Sequence, residues 1–231
     1  METIASRMHF HHVLRHLLRR LASLLVLLLP PRLSPVALKD FLLSLLLLLC
    51  GLSPRTLSVG GGATSLHVWA PRRRRLDRPS LVLLHGFGGF SKWQFERQLA
   101  PLSRSFDLYI PDLVFFGRSQ SGDRRRSVKF QARSVAEAMR QMGVGRYAVA
   151  GVSYGGFVAF RMAADAAAAE VESVVIMTSG ISSTAEERRE MAQREKRDVA
   201  ELLLPQRVED LRNLFQRCMH RPPWMPSFYP T

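Results

Sequence analysis

The chain has 231 residues, 47% of them hydrophobic and 23% charged, a folded globular composition that excludes wholesale disorder. A formal net charge of +14 points toward phosphate-bearing partners. The arginines, however, stand in short runs (72–75, 124–126, 188–189), with no aromatic interleaving and no nucleic-acid-binding motif. They read as solvated loop charge, and nucleic acid is not expected as a partner. Cys50 and Cys218 are too few for a disulfide framework or a cysteine metal cluster, and neither metal nor cofactor is expected.

Residues 1–52 form a basic, leucine-rich leader. Up to Lys39 its only acid is Glu2, against Arg7, Arg15, Arg19, Arg20, Arg32 and Lys39. Two apolar stretches, 21–29 and 41–49, each fall well short of the ~20 residues of a spanning helix. Pro30, Pro31 and Pro35 keep them from fusing into one. A basic start before a short apolar run fits a signal peptide, but PPRLSP offers no small-residue cleavage pattern. Arginine without acid fits a transit peptide, although leucine is abundant for one. The preferred reading is a helix pair that touches a membrane surface or packs as a cap, with a buried helix as the alternative for 36–52. Localisation stays open between membrane-associated and organelle-targeted.

From Thr56 short apolar runs alternate with longer amphipathic ones. TLSVGGGATSLHVWA predicts a β-hairpin turning through Gly60 to Gly62. SLVLLHG predicts a strand buried on both faces, and FDLYIPDL, RYAVAGVS and VESVVIMTSG read the same way. Helices are predicted over 92–102, 127–142 and 154–169. In the second, Val128, Ala132, Val135, Ala138 and Met139 recur on one face. This alternation over 56–180 predicts an α/β fold with a mostly parallel sheet and helices on both faces. Two charged amphipathic helices, 182–204 and 208–219, and a proline-rich tail follow, so 181–231 reads as a separate helical segment.

Gly151-Val152-Ser153-Tyr154-Gly155 follows the apolar run RYAVA and opens a helix. That strand–turn–helix setting is what a nucleophile elbow requires: a turn so tight that only glycine fits two residues either side of the serine. Ser153 is the candidate nucleophile. His85-Gly86-Phe87-Gly88-Gly89 ends the SLVLL run and reads as an oxyanion loop, since acyl transfer needs backbone N–H donors aimed at the developing oxyanion. Phe87 and Tyr154 are the candidate donors through their main chains. His85, with Gly86 and Gly88, is read as loop support rather than as the base. Asp112, in PDLVFFGRS after DLYI, is read as a turn residue with Gly117 rather than as a triad acid, because the expected order is serine, acid, histidine.

HGFGG, PDLVFFGRS and GVSYGG, in this order and spacing, resemble the α/β-hydrolase superfamily, and most closely plant α/β-hydrolase-1 proteins related to monoacylglycerol lipases and epoxide hydrolases. The resemblance runs from about Thr56 onward. It implies that ELLLPQR and RPPWMPS belong to a helical lid inserted after the sixth strand. It also implies ester or lipid chemistry without a cofactor, since an epoxide hydrolase would carry aspartate at the elbow. The family's acid and histidine come after the lid, and the residues after Ser153 offer only His220, in the lid-like segment. The expectation is therefore a fragment of a serine hydrolase that lacks its general base and exposes apolar strand edge. The alternative is a non-catalytic ligand-binding protein of the same fold.

Overall fold

The computed structural model describes residues 35–165, 170–196, 199–218 and 220. The first leucine-rich stretch, the end of the predicted helix at 166–169, Met219 and the tail from residue 221 lie outside them. The described residues form two compact units, 36–181 and the segment from 182 onward.

The first unit is a three-layer α/β structure. Helix α1 (Pro35–Leu49) leads into strands β1 (Leu52–Val59) and β2 (Thr64–Pro71), the predicted hairpin, which begins four residues earlier than Thr56. β1 tolerates Pro54 because it is an edge strand. β3 (Ser80–Leu84), β4 (Asp107–Pro111), β6 (Tyr147–Val152) and β7 (Val171–Met177) lie on the four apolar runs. A two-residue strand, β5 (Gln120–Ser121), pairs with β2 and carries no apolar signal in the sequence. The order is β1-β2-β4-β3-β6-β7, antiparallel from β1 to β4 and parallel from β4 to β7.

Alternation along β3 shows how the layers are built. Val82 and Leu84 join Val149, Phe130, Val135 and Val158 on the face covered by α4 (Val128–Gln141) and α5 (Tyr154–Ala164). Leu81 and Leu83 join Leu47, Phe95 and Leu99 on the other face. There the helix predicted over 92–102 is broken at Phe95 into α2 (Ser91–Gln94) and α3 (Glu96–Leu102). Ser127 caps α4 by accepting the Phe130 N–H at 3.2 Å.

β7 departs from its prediction. It is an edge strand with β6 on one side only, and Val175 and Met177 are exposed, so its apolar run is not buried on both faces. In the second unit the helix predicted over 182–204 is two helices, α6 (Ala185–Glu195) and α7 (Val199–Leu203), with Lys196 in the left-handed region at φ 52° ending the first. α8 (Val208–Cys218) follows, and no residue of α6 or α8 is buried.

Candidate active site

After β3 the chain steps to β4 on one side and then reaches β6 on the other, so loops leave the C-terminal ends of β3 and β6 side by side. Such a switch point leaves a crevice at the sheet's carboxyl edge. Leu84 and Gly151 are register partners there, which brings HGFGG against GVSYG.

Ser153 occupies the turn between β6 and α5 at φ 51° and ψ −114°, a left-handed conformation costly for any residue but glycine. The glycines explain how so sharp a turn is accommodated. A Cβ on Gly151 would stand 2.2 Å from the carbonyl oxygen of Gly155, and one on Gly155 would stand 2.2 Å from that of Leu84. Gly156, which the pentapeptide does not include, is equally constrained: its Cβ would meet Ser179 Cβ at 2.6 Å. Ser153 is the N-cap of α5, yet its side chain makes no capping bond and is half-buried, leaving the hydroxyl unengaged by the helix. Its backbone N–H donates to Met177 O at 2.8 Å. The next free N–H belongs to Tyr154, in the first helical turn, where backbone donors lack intrahelical partners.

The facing loop is held close. A Cβ on Gly86 would lie 3.4 Å from Ser153 Cβ. The Gly86 N–H donates to Oε1 of Gln94 at 3.3 Å, and the Gly89 N–H closes a turn onto Gly86 O at 3.4 Å. Gly88 sits at φ 70° in this turn, the position that demands glycine. Phe87, exposed at the tip, sets its ring edge-to-face on Phe116 (5.5 Å) and on Tyr154 (6.2 Å). The residues of the two candidate oxyanion donors thus touch through their side chains. Burial pushes the Tyr154 phenol above its ordinary range, with Gln131 partly offsetting it.

His85 is fully buried, and both ring nitrogens are engaged. Leu113 N–H donates to Nε2 at 2.9 Å, so the proton sits on Nδ1, which donates to Gly86 O at 2.8 Å. Burial holds its pKa below the ordinary 6.5. Asp112 is the hub beneath. Oδ1 accepts from the Ser91 hydroxyl (2.5 Å) and N–H (3.1 Å), and Oδ2 from His67 Nδ1 (3.1 Å) and Arg118 N–H (3.0 Å). Burial alone would raise this carboxyl. The bonds from His67, Ser91 and Arg118 outweigh it and bring the pKa down to about 2. Gly117, at φ 55°, lies so close that a Cβ would fall 2.3 Å from Oδ2.

Sequence reasoning missed His67, Ser91, Gln94, Ser119 and Gln131. Ser119 bonds both the His67 N–H and Asp112 O, and Gln131 bonds both backbone groups of Val114. Ser119 closes the PDLVFFGRS run and the others belong to no short motif; Gln94 is exposed, and the unusual burial of a polar side chain marks the remaining four. Among the described residues no group of three or more His, Cys, Asp or Glu is placed to hold a metal ion.

Comparison with known proteins agrees with this architecture. The family model described as "alpha/beta hydrolase fold" matches residues 79–212, more than half of the chain. A solved membrane phospholipase A, described as a bacterial virulence factor, superposes with a TM-score of 0.66 at 26% identity, covering 95% of this chain and 66% of its own. A candidate lipase from Acinetobacter baumannii AYE superposes with a TM-score of 0.64 at 24% identity, covering 81% of this chain and 60% of its own. The chain therefore spans 60% and 66% of the length of these two structures. By sequence it matches no curated protein. With its sheet order, its loops and this match together, the chain belongs to the α/β-hydrolase fold family.

Proposed function

We propose that this chain carries the nucleophile and oxyanion half of a serine hydrolase acting on carboxylic esters or acylglycerol-like lipids. The observation that supports the reading best is Ser153 itself: uncapped, strained at φ 51°, at a helix N-terminus and facing the Gly86 loop. In the proposed step Ser153 Oγ bonds to the ester carbonyl carbon while its proton passes to a base. The oxyanion takes hydrogen bonds from the Phe87 and Tyr154 N–H groups, and the partial positive charge of the α5 N-terminus favours it further. Collapse breaks the carbon–oxygen bond of the alcohol, which leaves with the proton, and water then releases the acyl group from Ser153.

Within 36–181 neither histidine serves as that base: His85 is engaged on both nitrogens, and His67 is buried on β2, separated from β6 and Ser153 by β4 and β3. The proposal therefore takes its acid and base from outside this unit, and takes 181–231 as part of a helical lid. The motif resemblance to monoacylglycerol lipases favours a lipid ester, as do the names of the two structures above.

The test is the covalent acyl-enzyme. Without its base the enzyme retains only the residual acceleration of oxyanion hole and binding, on the order of 10³-fold over water, and Ser153→Ala keeps that residue. Mass spectrometry after incubation with an activated short-chain acyl ester should find the acyl group on Ser153, and none in Ser153→Ala. A folded chain without an acyl group on Ser153 sinks the reading. The same placement of both histidines favours, as second reading, a ligand-binding protein that holds an apolar ester without reacting.

A further inference from the structure

α1 presents an apolar face that the described fold leaves uncovered. At 100° per residue, Leu38, Phe41, Leu42, Leu45 and Leu49 fall within an arc about 100° wide. Their side chains are between 43% and 77% exposed. Diametrically opposite, Leu43 and Leu47 are buried, Leu47 within the core cluster of Trp69, Leu81 and Leu99. No charged residue follows Asp40 in the helix. A surface helix ordinarily puts charge on its outer face; this one puts leucine and phenylalanine there.

The face is rigidly mounted. Asp40 pairs with Lys92 at 2.7 Å and accepts from Trp93 Nε1 at 3.0 Å, and Lys39 pairs with Glu96 at 2.8 Å. These bonds fix α1 to α2 and α3. At the other end, Arg72 N–H donates to Gly51 O at 2.9 Å. This sets the exposed Arg72 and Arg73 beside the C-terminal end of the helix. An uncharged apolar stripe bordered by free guanidinium groups matches one surface chemistry: acyl chains beneath anionic headgroups. Fifteen residues make about 22 Å of helix, and one side is committed to the core, so α1 lies on such a surface rather than crossing it.

We propose that the outer face of α1, with Arg72 and Arg73, docks this chain on an anionic lipid surface. The inference stands on α1, Arg72 and Arg73 and is independent of the reading of Ser153.

The experiment is co-sedimentation of the full chain with phosphatidylcholine vesicles, with and without phosphatidylserine. The chain should bind the anionic vesicles more strongly. Phe41→Asn with Leu45→Asn should lower partitioning about tenfold or more on both. Arg72→Gln with Arg73→Gln should cost roughly fivefold per charge, on anionic vesicles only. Ser153→Ala should bind as the unaltered chain does, so that failure here and failure of the hydrolase reading are told apart. Three results overturn the proposal. One is no vesicle binding at all. The second is binding untouched by the Phe41/Leu45 pair, which would place it in residues 1–34. The third is self-association without lipid that the same pair abolishes, which would assign the face to a second copy of the chain.

Discussion

The backbone N–H of Leu113 donates to Nε2 of His85 at 2.9 Å, and this bond fixes the tautomer. The other nitrogen must then carry the proton, and it gives it to Gly86 O. One imidazole thus ties the loop after β4 to the loop facing Ser153, with no nitrogen left for proton transfer.

Replacing His85 by leucine leaves the buried Leu113 N–H without a partner and Gly86 O with only the Gly89 N–H at 3.4 Å, a loss of about 1–3 kcal/mol. Urea unfolding measures it. The pH dependence has a definite sign. Burial holds His85 below 6.5 in the fold, so the unfolded chain binds the proton more readily. The contribution is complete above about 6.5 and is lost as pH falls below it, and His85→Leu should flatten that part of the profile.

Asp112 acts lower on the pH scale. Its carboxyl is held at about 2 in the fold against 3.8 unperturbed, which is worth roughly 2 kcal/mol for so buried a group. A depressed carboxyl contributes fully above 3.8 and loses its contribution as pH falls toward 2. Asp112→Asn should destabilise the chain at neutral pH and remove the slope between those values. Acid unfolding of both proteins, followed by circular dichroism, tests this.

The glycines should separate into two classes. Gly155→Ala drives a methyl to 2.2 Å from Leu84 O, backbone that cannot yield, and should cost at least about 2 kcal/mol. Gly88→Ala meets nothing within 4 Å and should cost only the left-handed conformation, about 1–2 kcal/mol. A larger loss for Gly88→Ala than for Gly155→Ala in thermal unfolding would contradict the tight-elbow geometry.

Ser153 carries strain that glycine would relieve. Ser153→Gly should raise stability by about 1 kcal/mol while abolishing covalent reactivity. A higher Tm together with loss of reactivity is the expected pair of results.

The parts of this molecule that were legible in the sequence are those whose geometry is set by consecutive residues. Gly151, Ser153 and Gly155 announce a sharp turn because the signature lies within five positions, although the atom that excludes a side chain at Gly155 belongs to Leu84. Strands β3, β4 and β6 announce themselves because burial on both faces leaves unbroken apolar runs. β7 carries the same kind of run but ends up at the sheet edge, since strand order is not written in a single strand. His67 and Asp112, 45 residues apart, become partners only through the β2–β4 pairing, and Gln131 meets Val114 only once α4 has docked. β5 has two residues and no apolar side chain, so neither length nor hydropathy marks it.

The reactivity of the Ser153 hydroxyl is the central claim, and a fluorophosphonate probe reads it most directly: phosphonylation needs no turnover, and with the base outside 36–181 it should proceed slowly, on the elbow and the oxyanion donors alone. After incubation of the full chain, peptide mass spectrometry should find the adduct on Ser153, and none should form in Ser153→Ala or in the unfolded protein. A folded chain that remains unmodified at Ser153, or one modified equally at other serines, would contradict the account.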